Sequence, residues 1–149
     1  MMTWKLEPSQ RLEKWRELRK YLNTLTLEEA LQETVDWWNR CPWVPFYLDE
    51  EQPQTWPNPW DLIVENCFCD IAKAYGMACT IYLTEHKPDV TLQLMYDSQT
   101  GTSICICLVN EKYVLNMNSG EVLNRLYITE TLKLKHSYTA ADLKLHTYI

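Results

Sequence analysis

The sequence predicts a single α+β domain, with an N-terminal helical hairpin and a central helix packed on an antiparallel β-sheet meander. Two patterns predict this fold class. Apolar side chains recur at helical spacing before residue 41 and again after residue 58, whereas later segments alternate apolar and polar side chains between turn sequences. The length of 149 residues suits one domain rather than two. We therefore assign residues 1–149 to one domain.

The first part of that domain, residues 1–41, is predicted to be the helical hairpin. Over Pro8–Asn23, Leu12, Trp15 and Leu22 recur at helical spacing. Thr26 and Glu29 have the spacing of a capping box, in which each side chain satisfies the backbone N–H of the other residue. A second helix is therefore expected from Thr26 until shortly before Pro42.

Residues 42–60 form a segment rich in tryptophan and proline, which we call the arm. It contains five prolines, so regular secondary structure is excluded over most of its length: Pro42, Pro45, Pro53, Pro57 and Pro59. An acidic run, Asp49-Glu50-Glu51, lies in its middle. A long segment without its own elements inside a compact domain is typical of a binding loop, or of a loop fastened over the core by its aromatic side chains.

Residues 61–149 are predicted to contain the central helix and the sheet. Asn58-Pro59 is a helix start, with an Asn cap before a Pro in the first turn, and Tyr75-Gly76 is its expected end. The remaining predicted elements are strands at Met77–Thr84, Leu92–Tyr96, Ile104–Val109 and Tyr113–Asn116, another within Val122–Leu134, and a short C-terminal helix from Thr139.

Charge and hydropathy exclude several classes of function. The formal net charge is −6, which disfavours a general nucleic-acid surface. A basic N-terminal stretch leaves nucleic-acid binding as a minor alternative, through Arg11, Lys14, Arg16, Arg19 and Lys20. No apolar run approaches the roughly 20 residues of a membrane span, and the start lacks an apolar signal core. We expect a cytoplasmic protein that does not bind membranes.

Six cysteines raise the question of a metal site. Cys67 and Cys69 lie two apart on a predicted helix, so their side chains would point in different directions. Cys105 and Cys107 share one strand face among apolar neighbours. The chain lacks the ligand spacing of zinc knuckles, so we expect free thiols, no metal and no organic cofactor.

The segment from Asn66 to Met77, with the later strands Ile104–Val109 and Tyr113–Asn116, resembles the transglutaminase-like branch of the papain-like superfamily. In that family a helix begins at the nucleophilic Cys, and the following strands deliver a His and then an Asp or Asn. The resemblance implies Cys69, or else Cys67, as a nucleophile that attacks an acyl group, with His86 as its base. The strand expected to carry the His contains none, which predicts a degenerate core rather than a working enzyme.

A second resemblance rests on the segment Trp56-Pro57-Asn58-Pro59-Trp60-Asp61-Leu62-Ile63, the abundant Trp and Tyr and the few glycines. In these respects the chain resembles small proteins of tailed bacteriophages. The resemblance implies a virion or assembly component, or a host-directed accessory protein, located in the host cytoplasm or the virion.

The leading functional hypothesis from the sequence is a non-catalytic protein-binding or structural module, whose partner is another virion protein or a host protein. Its binding surface would be the arm, with aromatic anchors inside a charged rim. The anchors are Trp43, Phe46, Tyr47 and Trp56, and the rim is Asp49, Glu50 and Glu51. The alternatives are a cysteine-dependent hydrolase or transferase of transglutaminase-like fold, and the host-directed phage accessory protein.

Overall fold

The computed structural model describes residues 3–149 and confirms the α+β class. Within those residues there are four α-helices and one sheet of five strands. The helices are α1 (Pro8–Leu22), α2 (Leu27–Trp38), α3 (Pro59–Glu65) and α4 (Asp70–Tyr82). The strands are β1 (Val90–Asp97), β2 (Ser103–Val109), β3 (Tyr113–Leu115), β4 (Leu123–Asn124) and β5 (Leu132–Thr139).

Two helix starts lie where their caps predict them. The Thr26 hydroxyl accepts from the Glu29 backbone N–H at 3.2 Å, and the Glu29 carboxylate accepts from the Thr26 N–H at 3.1 Å. The Asn58 side-chain oxygen accepts from the Asp61 N–H at 2.8 Å. Both caps are local hydrogen bonds between residues three apart, which is why the sequence alone encodes them.

The helix predicted from residue 59 to residue 76 is instead two helices, and this is the main correction to the predicted fold. The chain leaves α3 at Asn66, whose φ of 56° is left-handed, and starts again as α4 at Asp70. Asn adopts that conformation more readily than most residues other than Gly. The strand predicted at Met77–Thr84 is also wrong, because α4 continues to Tyr82.

The last part of α4 resembles a strand in sequence because it is buried on all sides. Met77, Ala78, Cys79 and Ile81 are each at most 1% exposed, so no polar face marks the helical period. Gly76 does not end the helix. It lets α2 approach, since a Cβ there would lie 2.6 Å from Cζ2 of the Trp38 ring.

The sheet has the order β4-β3-β2-β1-β5, so β1 to β4 form an antiparallel meander that lacks the predicted strand at 77–84, and β5 returns to pair with β1. Leu94 on β1 pairs with Cys105 on β2 and with His136 on β5. The C-terminal helix predicted from Thr139 is a turn followed by a short 3-10 helix, Leu145–Tyr148. Among residues 3–149, no helix has the length and apolar character that crossing a bilayer requires.

Candidate functional site

Cys69 is the N-cap residue of α4 and sits between the break at Asn66 and the first helical turn. The break is held from α1 by Arg11, whose guanidinium donates to the Ile63 carbonyl at 3.1 Å, to the Val64 carbonyl at 2.8 Å and to the Leu6 carbonyl. The first N–H groups of a helix have no intrahelical partner and carry a partial positive charge. A thiol in this position is therefore placed where developing negative charge is favoured.

Asp70, the next residue, ties the start of α4 to the sheet. Its carboxylate accepts from the Cys105 backbone N–H at 2.7 Å and from the Asn116 side-chain amide at 3.0 Å. The same Asn116 amide donates to the Cys105 carbonyl at 2.9 Å. Three segments that are distant in sequence thus meet beside Cys69. Sequence reasoning did not single out Asp70, although an acidic residue opening a helix was a usable signal.

Burial raises the pKa of the Asp70 carboxyl above its ordinary value, against the lowering effect of the Cys105 N–H, the Asn116 amide and Lys73. A raised folded-state pKa means that the folded protein binds the proton more tightly than the unfolded chain. The contribution of Asp70 to stability is then fully present below about pH 4 and is lost as the pH rises through the raised value.

We therefore expect the free energy of unfolding of the wild type, relative to Asp70→Asn, to decrease from about pH 4 towards neutrality. Urea denaturation of both proteins across this range measures it, and Asp61→Asn controls for the loss of one exposed carboxylate in a first helical turn. If the wild type instead gains free energy of unfolding relative to Asp70→Asn as the pH rises, the hydrogen bonds to Asp70 lower its pKa by more than burial raises it.

An open cleft of about 370 Å³ lies beside Cys69 and Asp70. The arm forms one side of it through Phe46, Leu48 and the three acidic rim residues, and the sheet forms the other through Leu94 and the start of β2. Cys69 is 4% exposed, so its side chain lies at the floor of the cleft. The cleft volume is at the lower end of the range of small-ligand pockets.

The four proposed aromatic anchors of the arm do not share one environment. Trp43 and Phe46 are 64% and 74% exposed, and Tyr47 is partly buried. Trp56 is buried against Tyr75 and Tyr138, and its indole N–H donates to the Asp49 carbonyl at 2.7 Å. In this structure Trp56 fastens the arm to the body of the protein, and only Trp43 and Phe46 are available to a partner.

His86 lies at the wrong end of α4 to serve as the base. His86 lies in the turn that follows α4, and its ring nitrogen Nε2 is 2.9 Å from the carbonyl oxygen of Leu22 at the end of α1. The 13 residues of α4 separate it from Cys69, a rise of about 20 Å. Among the described residues the cleft lining contains no histidine.

The other thiols are distinguished from Cys69 by their surroundings. Burial raises the pKa of Cys41 to about 11 and that of Cys107 to about 12, and it also raises the pKa values of Cys79 and Cys105. Raised pKa values of this kind are typical of structural thiols. Cys67 is partly buried and lies two residues before Cys69, the N-cap of α4.

Three potential metal ligands come together at the edge of the cleft, although the sequence predicts none. One donor atom each from Glu50, Glu51 and His136 lie within 4.8 Å of one another. Carboxylate and imidazole groups are suitable ligands for divalent cations. Here the Lys135 ammonium is 2.8 Å from a Glu50 carboxylate oxygen and already balances one of the charges. The sequence could not indicate this group, because its members come from the arm and β5.

Two of the five basic residues considered for nucleic-acid binding are turned inward. Arg11 is 6% exposed and bonded to three carbonyls, and the Arg19 guanidinium lies 4.2 Å from the centre of the Trp15 ring. The remaining three are exposed on α1. This leaves a small cationic surface for that alternative.

Comparison with known proteins gives matches in structure but not in sequence. No protein-family model matches the chain, and no curated protein matches it either. Three structures of LapG from Legionella pneumophila do match it in fold. The calcium-bound form has a TM-score of 0.71 at 13% identity and covers 91% of this chain and 77% of LapG. The EGTA-treated form has a TM-score of 0.71 at 12% identity and covers 93% of this chain and 78% of LapG. A third LapG structure has a TM-score of 0.70 at 12% identity and covers 93% of this chain and 79% of LapG.

These matches overturn the leading hypothesis of a non-catalytic protein-binding or structural module. LapG is a cysteine protease, which fits the enzyme alternative instead. The hypothesis rested on two expectations, that the strand after Cys69 carries no histidine and that Cys69 lies inside a continuous helix. The structure instead places Cys69 at a helix start. The resemblance to tailed-phage proteins stays a prediction. The resemblance to the transglutaminase-like branch is confirmed for the fold: this chain has the transglutaminase-like fold.

Proposed function

We propose that this protein is a cysteine-dependent hydrolase or acyltransferase with Cys69 as its nucleophile. The observation that carries the proposal is the placement of this one thiol at the N-cap of α4, on the floor of an open cleft. A nucleophilic cysteine needs an opening that admits a substrate and backbone donors for the negative charge that develops beside it, and the start of α4 at this cleft is suited to both. The match to a cysteine protease of the same fold supports the same class of chemistry.

The proposed reaction has two steps. The Cys69 thiolate attacks the carbonyl carbon of an amide or ester, and the amine or alcohol leaves with a proton as the thioester forms. Water then hydrolyses the thioester to a carboxylic acid, or an amine takes the acyl group as an amide, and either step returns the thiol. The first N–H groups of α4 are suited to stabilise the negative charge that develops next to Cys69.

The proton acceptors that line this cleft are carboxylates, and the one imidazole near it among residues 3–149, that of His136, lies at its edge beside Glu50 and Glu51. Asp49, Glu50 and Glu51 line the cleft. A well-matched general base contributes about 10²- to 10⁴-fold to rate, and a carboxylate is a weaker base towards a thiol than imidazole is. We therefore expect a slow enzyme. Asp70 and Asn116 are positioning residues, because their hydrogen bonds hold the helix start against β2.

The test is site-resolved alkylation of the native protein by iodoacetamide, quantified by mass spectrometry. Cys67 is more exposed than Cys69, so exposure alone predicts that Cys67 reacts first. We expect the opposite order, with Cys69 alkylated about tenfold faster because of its helix-start position. Cys67→Ala should keep this reactivity, and Cys69→Ala should remove it.

A second measurement reports on acyl transfer itself. With p-nitrophenyl acetate, the wild type and Cys67→Ala should release p-nitrophenol and carry one acetyl group on Cys69, whereas Cys69→Ala should not. Equal alkylation of the two cysteines in the native state, together with no acetyl group on Cys69, would show that the thiol is inert and would refute the proposal.

A further inference from the structure

The charge of the cleft indicates what kind of substrate it accepts, provided that the function proposed above holds. Four carboxylates line it, those of Asp49, Glu50, Glu51 and Asp70, and within residues 3–149 no lysine or arginine does. Asp70 is engaged by Cys105 and Asn116, and Glu50 by Lys135 from outside the lining. Asp49 and Glu51 are exposed at the opening and, within residues 3–149, form no salt bridge.

The same carboxylates act electrostatically on Tyr138, which does not line the cleft. Burial raises the pKa of the Tyr138 phenol, and Glu50, Glu51 and Asp49 raise it further. The Tyr138 hydroxyl donates to the Glu50 backbone carbonyl at 2.7 Å, so the tyrosine fixes the arm beside the sheet. The backbone that carries the acidic rim is therefore tied to β5 at Glu50.

The rest of the lining is largely apolar. Cys69 is 4% exposed, belongs to the apolar core and lines the cleft, so the core reaches the cleft at this sulfur. The exposed Phe46 ring beside the rim, and the side chains of Ile71 and Ile104, provide apolar surface. A ligand that satisfies the whole lining carries a positive charge next to an apolar group.

We infer that the substrate of Cys69 is a polypeptide with lysine or arginine beside the residue whose carbonyl group is attacked. Its cation would meet Asp49 and Glu51 at the opening, and its apolar side chains would meet Phe46. Charge complementarity of this kind sets partner choice and association rate, and it weakens as salt is added.

Binding is tested with the full-length Cys69→Ala variant, which binds without reacting. The probes are fluorescein-labelled, alanine-rich peptides that differ only in carrying lysines or glutamates, measured by fluorescence anisotropy with a chelator present. We expect the lysine peptide to bind about tenfold more tightly at low salt, with the preference decreasing as salt rises.

Variants of the rim and a matched control locate the effect. Asp49→Asn combined with Glu51→Gln should weaken the lysine peptide several-fold, whereas Glu85→Gln, an exposed carboxylate at the other end of α4, should not. Equal binding of both peptides, or an equal loss with Glu85→Gln, would overturn the inference. A free polyamine that binds as tightly as the peptide would assign the cleft to small amines and would also overturn it.

The outcomes separate this inference from the proposed function. Fast alkylation of Cys69 without a charge preference in binding removes the inference and leaves the enzyme. Charge-selective binding with an unreactive Cys69 leaves a cleft that recognises cationic peptides and removes the enzyme.

Discussion

Thr80→Val should lower the free energy of unfolding by about 2–5 kcal/mol, because it leaves two buried indole N–H groups without an acceptor. The Thr80 hydroxyl oxygen accepts from Trp15 Nε1 and from Trp38 Nε1, each at 2.9 Å, and donates to the Gly76 carbonyl at 2.6 Å. All three side chains are fully buried. Valine matches threonine in shape, so the substitution creates no cavity and the cost is that of unsatisfied polar groups.

The matched control is Thr34→Val. Thr34 is equally buried in a helix, and its hydroxyl also donates to the carbonyl four residues earlier, that of Ala30, at 2.7 Å. It accepts no indole N–H in the described structure, so its replacement should cost under about 1 kcal/mol. Urea denaturation under reducing conditions, followed by circular dichroism, compares the two. Equal costs would mean that the indoles find other partners and that Thr80 does not join the helices.

The sequence predicts those parts of the fold that are encoded by neighbouring residues. The caps at Thr26 and Asn58 are examples, since each joins residues three apart. It fails for α4, because burial on all sides removes the polar face that would reveal a helical period. It also misses β5, an edge strand whose pairing with β1 joins residues about forty apart and whose side chains are largely exposed.

The sequence identified one residue of the candidate site, Cys69, but not the arrangement of the backbone around it. The transglutaminase-like resemblance singled out Cys69, but the expected continuous helix placed the thiol away from a helix start. Only the left-handed turn at Asn66 puts it there. The contacts of Asp70 with Cys105 and Asn116 span 35 and 46 residues, and such long-range pairings leave no periodic pattern in a single sequence.

Arg11→Met should lower the free energy of unfolding by about 2–4 kcal/mol and also reduce the preference for alkylating Cys69 over Cys67. Arg11 is 6% exposed, and two hydrogen bonds of its guanidinium go to the last carbonyls of α3, at Ile63 and Val64. Those carbonyls have no intrahelical donor, and a cation at a helix C-terminus also opposes the negative end of the helix dipole. Methionine retains much of the apolar stem but supplies no donor.

Arg16→Met on the same helix is the control, because the Arg16 side chain is 60% exposed and its only ion pair in residues 3–149 is with Glu13 at 3.8 Å. Its replacement should change stability by less than about 0.5 kcal/mol and leave Cys69 reactivity intact. The alkylation readout separates two roles of Arg11. A loss of stability with unchanged selectivity would mean that Arg11 only packs α1 against α3. Loss of both would mean that the hydrogen bonds ending α3 also set the turn at Asn66, and with it the position of the thiol at the start of α4.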